Sequence, residues 1–173
     1  MQDYDTTSPC PLPEGHTLES LLASRVVRKS SLAYDWGVLK FQADINPKYS
    51  RAQMRYIGFG AAGATADSKS LDPEHFTFTT MLLPAGHEFP PHLHVDVEEV
   101  FYLTQGKARF VIEHDGIRAE TSLQEGDLIS VPPGVYRSIV SETDEESRFV
   151  VVIGAPRPLR PTYPPGHELH GKK

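Results

Sequence analysis

The stretch GHEFPPHLHVDVEEVFYLTQG, residues 86–106, decides the fold and the candidate site together. Its second half is a β-favouring run that mixes aromatic and apolar side chains. Its first half carries His92 and His94, which are two residues apart, so on an extended strand both imidazoles point to the same side. Pro90 and Pro91 fix φ just before them and stiffen this approach. The stretch therefore predicts a strand edge that presents a pair of metal-competent side chains.

Carboxylates follow the histidine pair. Glu98 and Glu99 lie across a short turn, and only one of these neighbours can face the same way as the histidines. Two imidazoles and one carboxylate form a set that binds Fe(II), Mn(II), Ni(II) or similar ions and leaves coordination positions open. Spacing alone also fits two polar residues at a sheet edge. Asp96, in the turn itself, is expected to be solvated.

Short β-like runs dominate the chain, separated by Gly, Pro, Asn or Asp, and no long amphipathic helix interrupts them. They are residues 25–30, 38–43, 53–59, 76–83, 98–104, 108–114, 117–123, 127–132, 136–140 and 148–154. This pattern predicts a β-sandwich or barrel. Asp115 and Gly116 predict a type I′ hairpin between two adjacent antiparallel strands, since both central positions of that turn need positive φ.

The chain divides into three predicted parts. Residues 1–23 form a leader or arm with a short helix whose N-cap is Thr17. Residues 24–155 form a single barrel domain with its motif core at 75–154. Residues 156–173 form a Pro-rich tail, which is expected to lie extended along the domain, cross to a partner subunit or hang free.

Composition excludes several function classes. The net charge is −6, and the chain has no cluster of Lys and Arg to neutralise phosphates, so nucleic acid is not an expected partner. The one cysteine, Cys10, allows no intrachain disulfide, which favours a cytoplasmic protein. The sequence has no signal-peptide pattern and no apolar run of membrane-spanning length, so no membrane association is expected.

The opening stretch resembles the first motif of the cupin superfamily. That motif is a glycine, five residues, His-x-His, three or four residues, a glutamate, six residues and a glycine. Gly86, His92, His94, Glu99 and Gly106 fill every position.

The resemblance implies an all-β fold, a cupin-like double-stranded β-helix (jelly-roll) barrel with an N-terminal arm, a Pro-rich C-terminal tail and the site inside its mouth. It implies that Glu99 rather than Glu98 is the inward carboxylate, with Phe101 and Leu103 lining the barrel on the same face. Cupins include dioxygenases, decarboxylases, isomerases, lyases, sugar-binding proteins and non-catalytic proteins, so the fold alone does not decide the function.

A second stretch, GDLISVPPGVYRSIV, resembles the second cupin motif. Gly126, Pro132 and Gly134 stand at the expected positions. Arg137 then replaces the histidine that is the family's fourth metal ligand, and Ser141 replaces an asparagine. An arginine stays protonated and has no lone pair to donate, so it cannot substitute for that histidine as a ligand.

Three interpretations of Arg137 are open. In the first, His92, His94 and Glu99 hold a divalent ion, and Arg137 binds the acid group of a substrate. In the second, a nearby residue completes the metal's shell. In the third, no metal binds, Arg137 pairs with Glu99, and the histidines only shape a polar pocket. The second interpretation has two candidates, His87 and Tyr136, although Tyr136 should face away if Arg137 faces inward.

The resemblance and these residues lead to one functional hypothesis. The protein is expected to be a metal-dependent enzyme that acts on a small anionic organic molecule, with Fe, Mn, Ni or Zn not distinguished. A dioxygenase comes first, because a site with open positions suits it. The alternatives are a non-oxidative decarboxylase, isomerase or lyase, and a barrel that binds a small acid or sugar without catalysis. A homodimer is expected, with exchanged arms covering the sheet edges.

Overall fold

The computed structural model describes residues 11–59 and 69–172. The single cysteine, Cys10, and the first ten residues of the predicted leader lie outside the described residues. None of the helices in the two described ranges is long and apolar enough to cross a membrane.

The described chain begins with short helical elements. Helix α1 (Leu18–Ser24) starts at Thr17, whose side-chain oxygen accepts a hydrogen bond from the Ser20 N–H, while the Ser20 hydroxyl oxygen accepts one from the Thr17 N–H. This reciprocal capping confirms the predicted N-cap. A 3-10 turn (Lys29–Ser31), helix α2 (Lys40–Ile45) and a second 3-10 turn (Pro47–Tyr49) follow.

The strands predicted at residues 25–30 and 38–43 are therefore wrong. Short apolar runs fit the period of a helix as well as that of a strand. In α2, Lys40 forms an ion pair of 2.5 Å with Asp44, one helical turn away, and such pairs favour the helix.

Strands form two antiparallel sheets in the described part of the chain. They are β1 (Ala52–Ile57), β2 (Thr77–Leu83), β3 (Glu88–His92), β4 (Glu99–Gln105), β5 (Lys107–His114), β6 (Ile117–Gln124), β7 (Leu128–Val131), β8 (Tyr136–Ser141) and β9 (Ser147–Ile153). One sheet has the order β1-β2-β9-β4-β7, and the other has the order β3-β8-β5-β6. The other eight predicted strands are all present, and the two-sheet arrangement confirms the predicted all-β jelly-roll class.

Strand β3 was not among the predicted strands, and its prolines explain why. Pro90 and Pro91 have no backbone N–H to donate, so a strand that contains them fits only at a sheet edge, where β3 lies. Its pairing with β8 shifts register between Phe89 and His92, and the shift leaves His92 directly opposite Arg137.

The predicted hairpin joins β5 to β6. Asp115 and Gly116 have φ values of 50° and 75°, and His114 pairs with Ile117 on either side of them. These positive φ values confirm that the turn needs residues tolerant of the left-handed region, as the sequence predicted.

The core lies between the two sheets. Phe101 and Leu103 on β4 are fully buried, which confirms their predicted inward orientation. Phe101 packs edge-on against Phe110 of β5 and Phe149 of β9, with ring centroids 5.4 Å and 6.4 Å away. Burying a side chain of this size stabilises a fold by about 1.5–3 kcal/mol, and the contact with Phe110 joins the two sheets because β5 lies in the facing sheet.

The C-terminal tail folds back on its own barrel. Leu93 and Thr162 exchange two backbone hydrogen bonds of 2.9 Å. Asp96 is exposed, as expected, but its carboxylate also accepts a hydrogen bond of 2.9 Å from the Leu159 N–H. The described tail thus follows the first of its three predicted courses, along the domain. The homodimer stays a prediction.

The tail also packs against the N-terminal helical segment. The Gln42 side chain donates a buried hydrogen bond of 2.5 Å to the Tyr163 hydroxyl, and the second 3-10 turn contacts β3. We call residues 40–51 and 158–170 together the cap. Its small hydrophobic cluster consists of Tyr49, Tyr163 and Leu169, with Phe41 packed against them.

Candidate metal and anion site

Four side chains from both sheets meet between the sheets. His92 ends β3, His94 lies two residues further on, Glu99 begins β4, and Arg137 is the second residue of β8. Their relative exposures lie between 1% and 3%. The structure therefore brings together all four of the predicted site residues, and it buries them.

The Oε2 atom of Glu99 is the point at which the other three side chains converge. It lies 3.4 Å from Nε2 of His92 and 3.7 Å from Nε2 of His94. The three candidate ligand atoms all lie within 4.8 Å of one another. Donors about 2.0–2.2 Å from a zinc-sized ion are roughly 3.0–3.6 Å apart in tetrahedral or octahedral geometry, and the distances of 3.4 Å and 3.7 Å to Glu99 are close to that range.

The tautomer of His92 follows from its hydrogen bonds. Its Nδ1 lies 2.9 Å from the carbonyl oxygen of Pro90, which can only accept, so Nδ1 carries the proton and donates. In a neutral ring this leaves the Nε2 lone pair directed at the Glu99 carboxylate. Two lone-pair acceptors that face each other in a buried site call for a cation between them. A backbone carbonyl behind the ring is also the usual support of a metal-binding histidine.

His94 is neutral near pH 7. Burial lowers its pKa to about 4, although the nearby Glu99 carboxylate raises it in part. Its buried Nδ1 has no hydrogen-bond partner of good geometry, even though the Leu159 backbone lies close enough to raise the pKa slightly. A neutral imidazole is the form that binds a metal ion.

Glu99 is ionised in this setting. Burial acts to raise its pKa, but the neighbouring side chains of His92, His94 and Arg137 together lower the pKa below its ordinary value. The carboxylate is therefore available as an anionic ligand at neutral pH.

Arg137 lies beside this carboxylate without a hydrogen bond to it. Its Nε is 3.7 Å from Glu99 Oε2, which is too long for a hydrogen bond. One terminal nitrogen donates to the Pro132 carbonyl at 3.1 Å, while Nε and the other terminal nitrogen are buried without a partner. Burial lowers the pKa of Arg137 and Glu99 raises it, but a guanidinium with such a high ordinary pKa stays charged.

The other candidate ligands are engaged elsewhere. The imidazole Nδ1 of His87 donates to the Ser50 carbonyl at 2.9 Å, and Glu98 accepts a short hydrogen bond from the Ser130 hydroxyl. Tyr136 is half-buried and precedes Arg137 on β8, so strand alternation turns it to the opposite face. Among the described residues, neither His87 nor Glu98 belongs to the cluster of candidate ligands.

Sequence reasoning missed Arg51. This residue lies just before β1, is 2% exposed, and places its guanidinium 3.9 Å from the centre of the Phe89 ring. The Phe89 ring also adjoins the site, because its centre is 4.7 Å from that of the His92 ring. Burial lowers the pKa of Arg51 to about 9, while Tyr163 and Glu99 raise it. Arg51 lies outside both motifs, so no sequence pattern marks it.

The cap packs next to the site. Leu93, between the two histidines, is held by the backbone of Thr162, and Arg51 belongs to the cap's first segment. Ligand exchange at side chains this deeply buried requires some part of the surroundings to move.

Comparison with known proteins identifies the type of fold. Residues 79–153 match the model of the family described as the cupin domain. This match, together with the two antiparallel sheets, confirms the resemblance to cupins carried by the two motifs.

The proteins to which this chain is similar have different described functions. A vicilin of Corylus avellana, Cor a 11.0101, is 28% identical over 81 residues, which are 47% of this chain and 17% of that protein. Peruvianin-I, described as a cysteine peptidase from Thevetia peruviana latex, is 16% identical over 87% of this chain and 81% of that one, with a TM-score of 0.61. Oxalate decarboxylase from Bacillus subtilis is 20% identical over 62% of this chain and 26% of that one, with a TM-score of 0.51. The chain spans less than a fifth of the length of the curated relatives it matches. At these identities the likenesses establish the fold alone.

Proposed function

We propose that the protein is a metal-dependent enzyme that acts on a small anionic organic molecule. The observation that carries this proposal is the convergence of His92 Nε2, His94 Nε2 and Glu99 Oε2, with the His92 lone pair fixed toward the carboxylate. A divalent ion held by these three residues would supply Lewis-acid or redox chemistry. Fe, Mn, Ni and Zn all accept this donor set, so the ion is left unspecified.

Arg137 has a separate role in this proposal. It stands where the family has a fourth ligand, and a guanidinium cannot ligate a cation. Its two unpartnered N–H groups can instead donate to a substrate carboxylate and fix that group next to the three ligands. The missing ligand also leaves positions free around the ion. The cap would exclude water from the enclosed site, which strengthens each of these electrostatic contacts.

A dioxygenase is the reaction class we place first, because a site of two histidines and one carboxylate with open positions suits oxygen chemistry. A non-oxidative decarboxylase, isomerase or lyase would use the same residues. The 3.7 Å separation of Arg137 and Glu99 also supports a second candidate, a metal-free barrel that binds a small acid. In that candidate the arginine neutralises the buried carboxylate.

Metal analysis separates the two candidates. We expect near-stoichiometric Fe, Mn, Ni or Zn in the purified or reconstituted protein, measured by elemental mass spectrometry, and its loss in His92→Ala. His114→Ala is the matched control, since His114 lies exposed at the β5–β6 turn next to Asp115, and this variant should retain the metal. If the wild type binds none of the four metals after reconstitution, the metal-dependent enzyme is excluded and the metal-free binding protein stands.

A further inference from the structure

Building on the proposed function, we infer that the site takes a small organic dianion and that Arg51 binds its second acid group. Arg137 on the barrel and Arg51 on the cap would then each hold one end of the ligand.

The balance of buried charge supports two negative charges on the ligand. Among the described residues, the buried Asp, Glu, His, Lys and Arg side chains are Arg51, His92, His94, Glu99 and Arg137. Two guanidinium groups are opposed by one carboxylate, and a divalent ion would add two further positive charges. Uncompensated buried charge is costly, so the site favours an anion, and a dianion compensates it better than a monoanion.

The two arginines are held in the same way. Each donates from one terminal nitrogen to a backbone carbonyl, Arg51 to Tyr49 at 2.8 Å and Arg137 to Pro132 at 3.1 Å. Each also keeps a buried Nε–H with no partner. A guanidinium that is anchored at one edge and unpaired at the other is preorganised for an acceptor that the protein does not provide.

Position links Arg51 to the same site. Phe89 touches both the Arg51 guanidinium and the His92 ring, so the arginine is one ring away from a candidate ligand. No carboxylate of the described residues lies within ion-pair distance of Arg51, although the Glu99 carboxylate is near enough to raise the pKa of Arg51. A purely structural Arg51 would only fix the second 3-10 turn onto β3. The two roles differ in their consequence, because only a ligand-binding Arg51 would make affinity depend on the charge of the ligand.

The experiment compares anions that have the same number of carbons and differ by one carboxylate. Calorimetry would measure the affinity of malonate against propionate and of succinate against butyrate. Each pair would be tested on the protein loaded with Mn²⁺ or Zn²⁺ and on the protein stripped with chelator. We expect at least one dianion to bind about tenfold or more tightly than its matched monoanion, since a charge-assisted hydrogen bond supplies that much.

Variants then assign the difference to Arg51. Arg51→Gln should weaken the dianion by about tenfold or more and leave the monoanion within about twofold. Arg109→Gln is the control, because Arg109 pairs with Glu120 and Glu142 on the outside of β5. Arg51→Met keeps an unbranched stem against Phe89 and serves if the glutamine variant does not fold. If neither variant folds, the wild-type comparison decides alone.

The outcomes separate this inference from the proposed function. Equal affinities for the paired anions, no detectable dianion binding, or an unchanged preference in a folded Arg51 variant overturns the role of Arg51 even if the metal binds. An Arg51-dependent preference for the dianion in a protein that binds no metal would uphold the inference and exclude the metal-dependent enzyme.

Discussion

The barrel and the cap both border the site, but the contacts that stabilise the barrel differ from those that stabilise the cap. The strands of the barrel are hydrogen-bonded to neighbours in two sheets, and its core contains fully buried aromatic rings from both sheets. The cap has one isolated backbone bridge, a few side-chain hydrogen bonds and a cluster with three buried members. Regions with fewer buried apolar contacts open at lower free energy than the core. The cap is therefore the part expected to move when a ligand enters the site.

The largest expected effect is in the barrel. Phe101→Ala removes a fully buried ring that contacts Phe110 in the facing sheet and Phe149 in its own sheet. We expect the free energy of unfolding to fall by about 3–5 kcal/mol in a urea titration of the metal-free protein. Metal affinity should fall as well, because Phe101 lies two residues from Glu99 on the same face of β4.

Tyr102→Ala is the control for this variant. Its side chain alternates to the outer face of β4 and is 40% exposed, so the loss should stay below about 1 kcal/mol. Equal losses for the two variants would mean that the phenylalanine cluster is not what holds the two sheets together.

A smaller and more local effect is expected in the cap. Leu169 is fully buried in the cap cluster, and replacing such a leucine by alanine destabilises its surroundings by about 2–5 kcal/mol. In Leu169→Ala, amide hydrogen exchange should accelerate in residues 158–170 and at Leu93, while the amides of β4 and β9 keep their protection. Site geometry, and hence metal stoichiometry, should be retained.

Leu159→Ala tests the same segment without touching the cluster. The Leu159 side chain is 57% exposed, so its truncation should leave exchange in the cap nearly unchanged. If Leu169→Ala accelerated exchange in β4 and β9 as much as in residues 158–170, the cap and the barrel would unfold as one unit, and the contrast between them would fail.

The same contrast decides what could be predicted from sequence. In the barrel, apolar alternation, the Asp115–Gly116 turn and the spacing of His92, His94 and Glu99 act over a few residues, and each of them predicted its structure correctly. Strand β3 was not predicted, because its two prolines are compatible with a strand only at a sheet edge. The edge position is set by the partner β8, which is distant in sequence.

The cap depends on contacts that local patterns do not record. Gln42 and Tyr163 are 121 residues apart in sequence and form a buried hydrogen bond. The residues of α2 fit a strand period as well as a helical one, so sequence reasoning predicted the wrong element there. Arg51 is a lone arginine before a strand in the sequence. Only packing against Phe89 shows that its charge lies beside the site.

Apart from the control variants, Arg137→His has the smallest expected effect, and it tests the role of Arg137 on the barrel separately from that of Arg51 on the cap. Restoring an imidazole at this position supplies the fourth ligand of the family pattern, so metal binding should tighten in a competition against a chelator. The same change removes the N–H donors that we propose bind a substrate acid group. Affinity for a small carboxylate such as propionate should therefore fall by about tenfold, which corresponds to about 1.4 kcal/mol.

The control keeps the charge of Arg137 and changes its shape. Arg137→Lys removes the planar pair of donors but retains a cation and supplies no metal ligand at neutral pH, so it should weaken the carboxylate without tightening the metal. If Arg137→His left carboxylate affinity unchanged, Arg137 would have no part in binding the anion, and its proximity to Glu99 would be a matter of charge neutralisation alone. The dianion preference would then depend on Arg51, and the cap rather than the barrel would provide the charge recognition of the site.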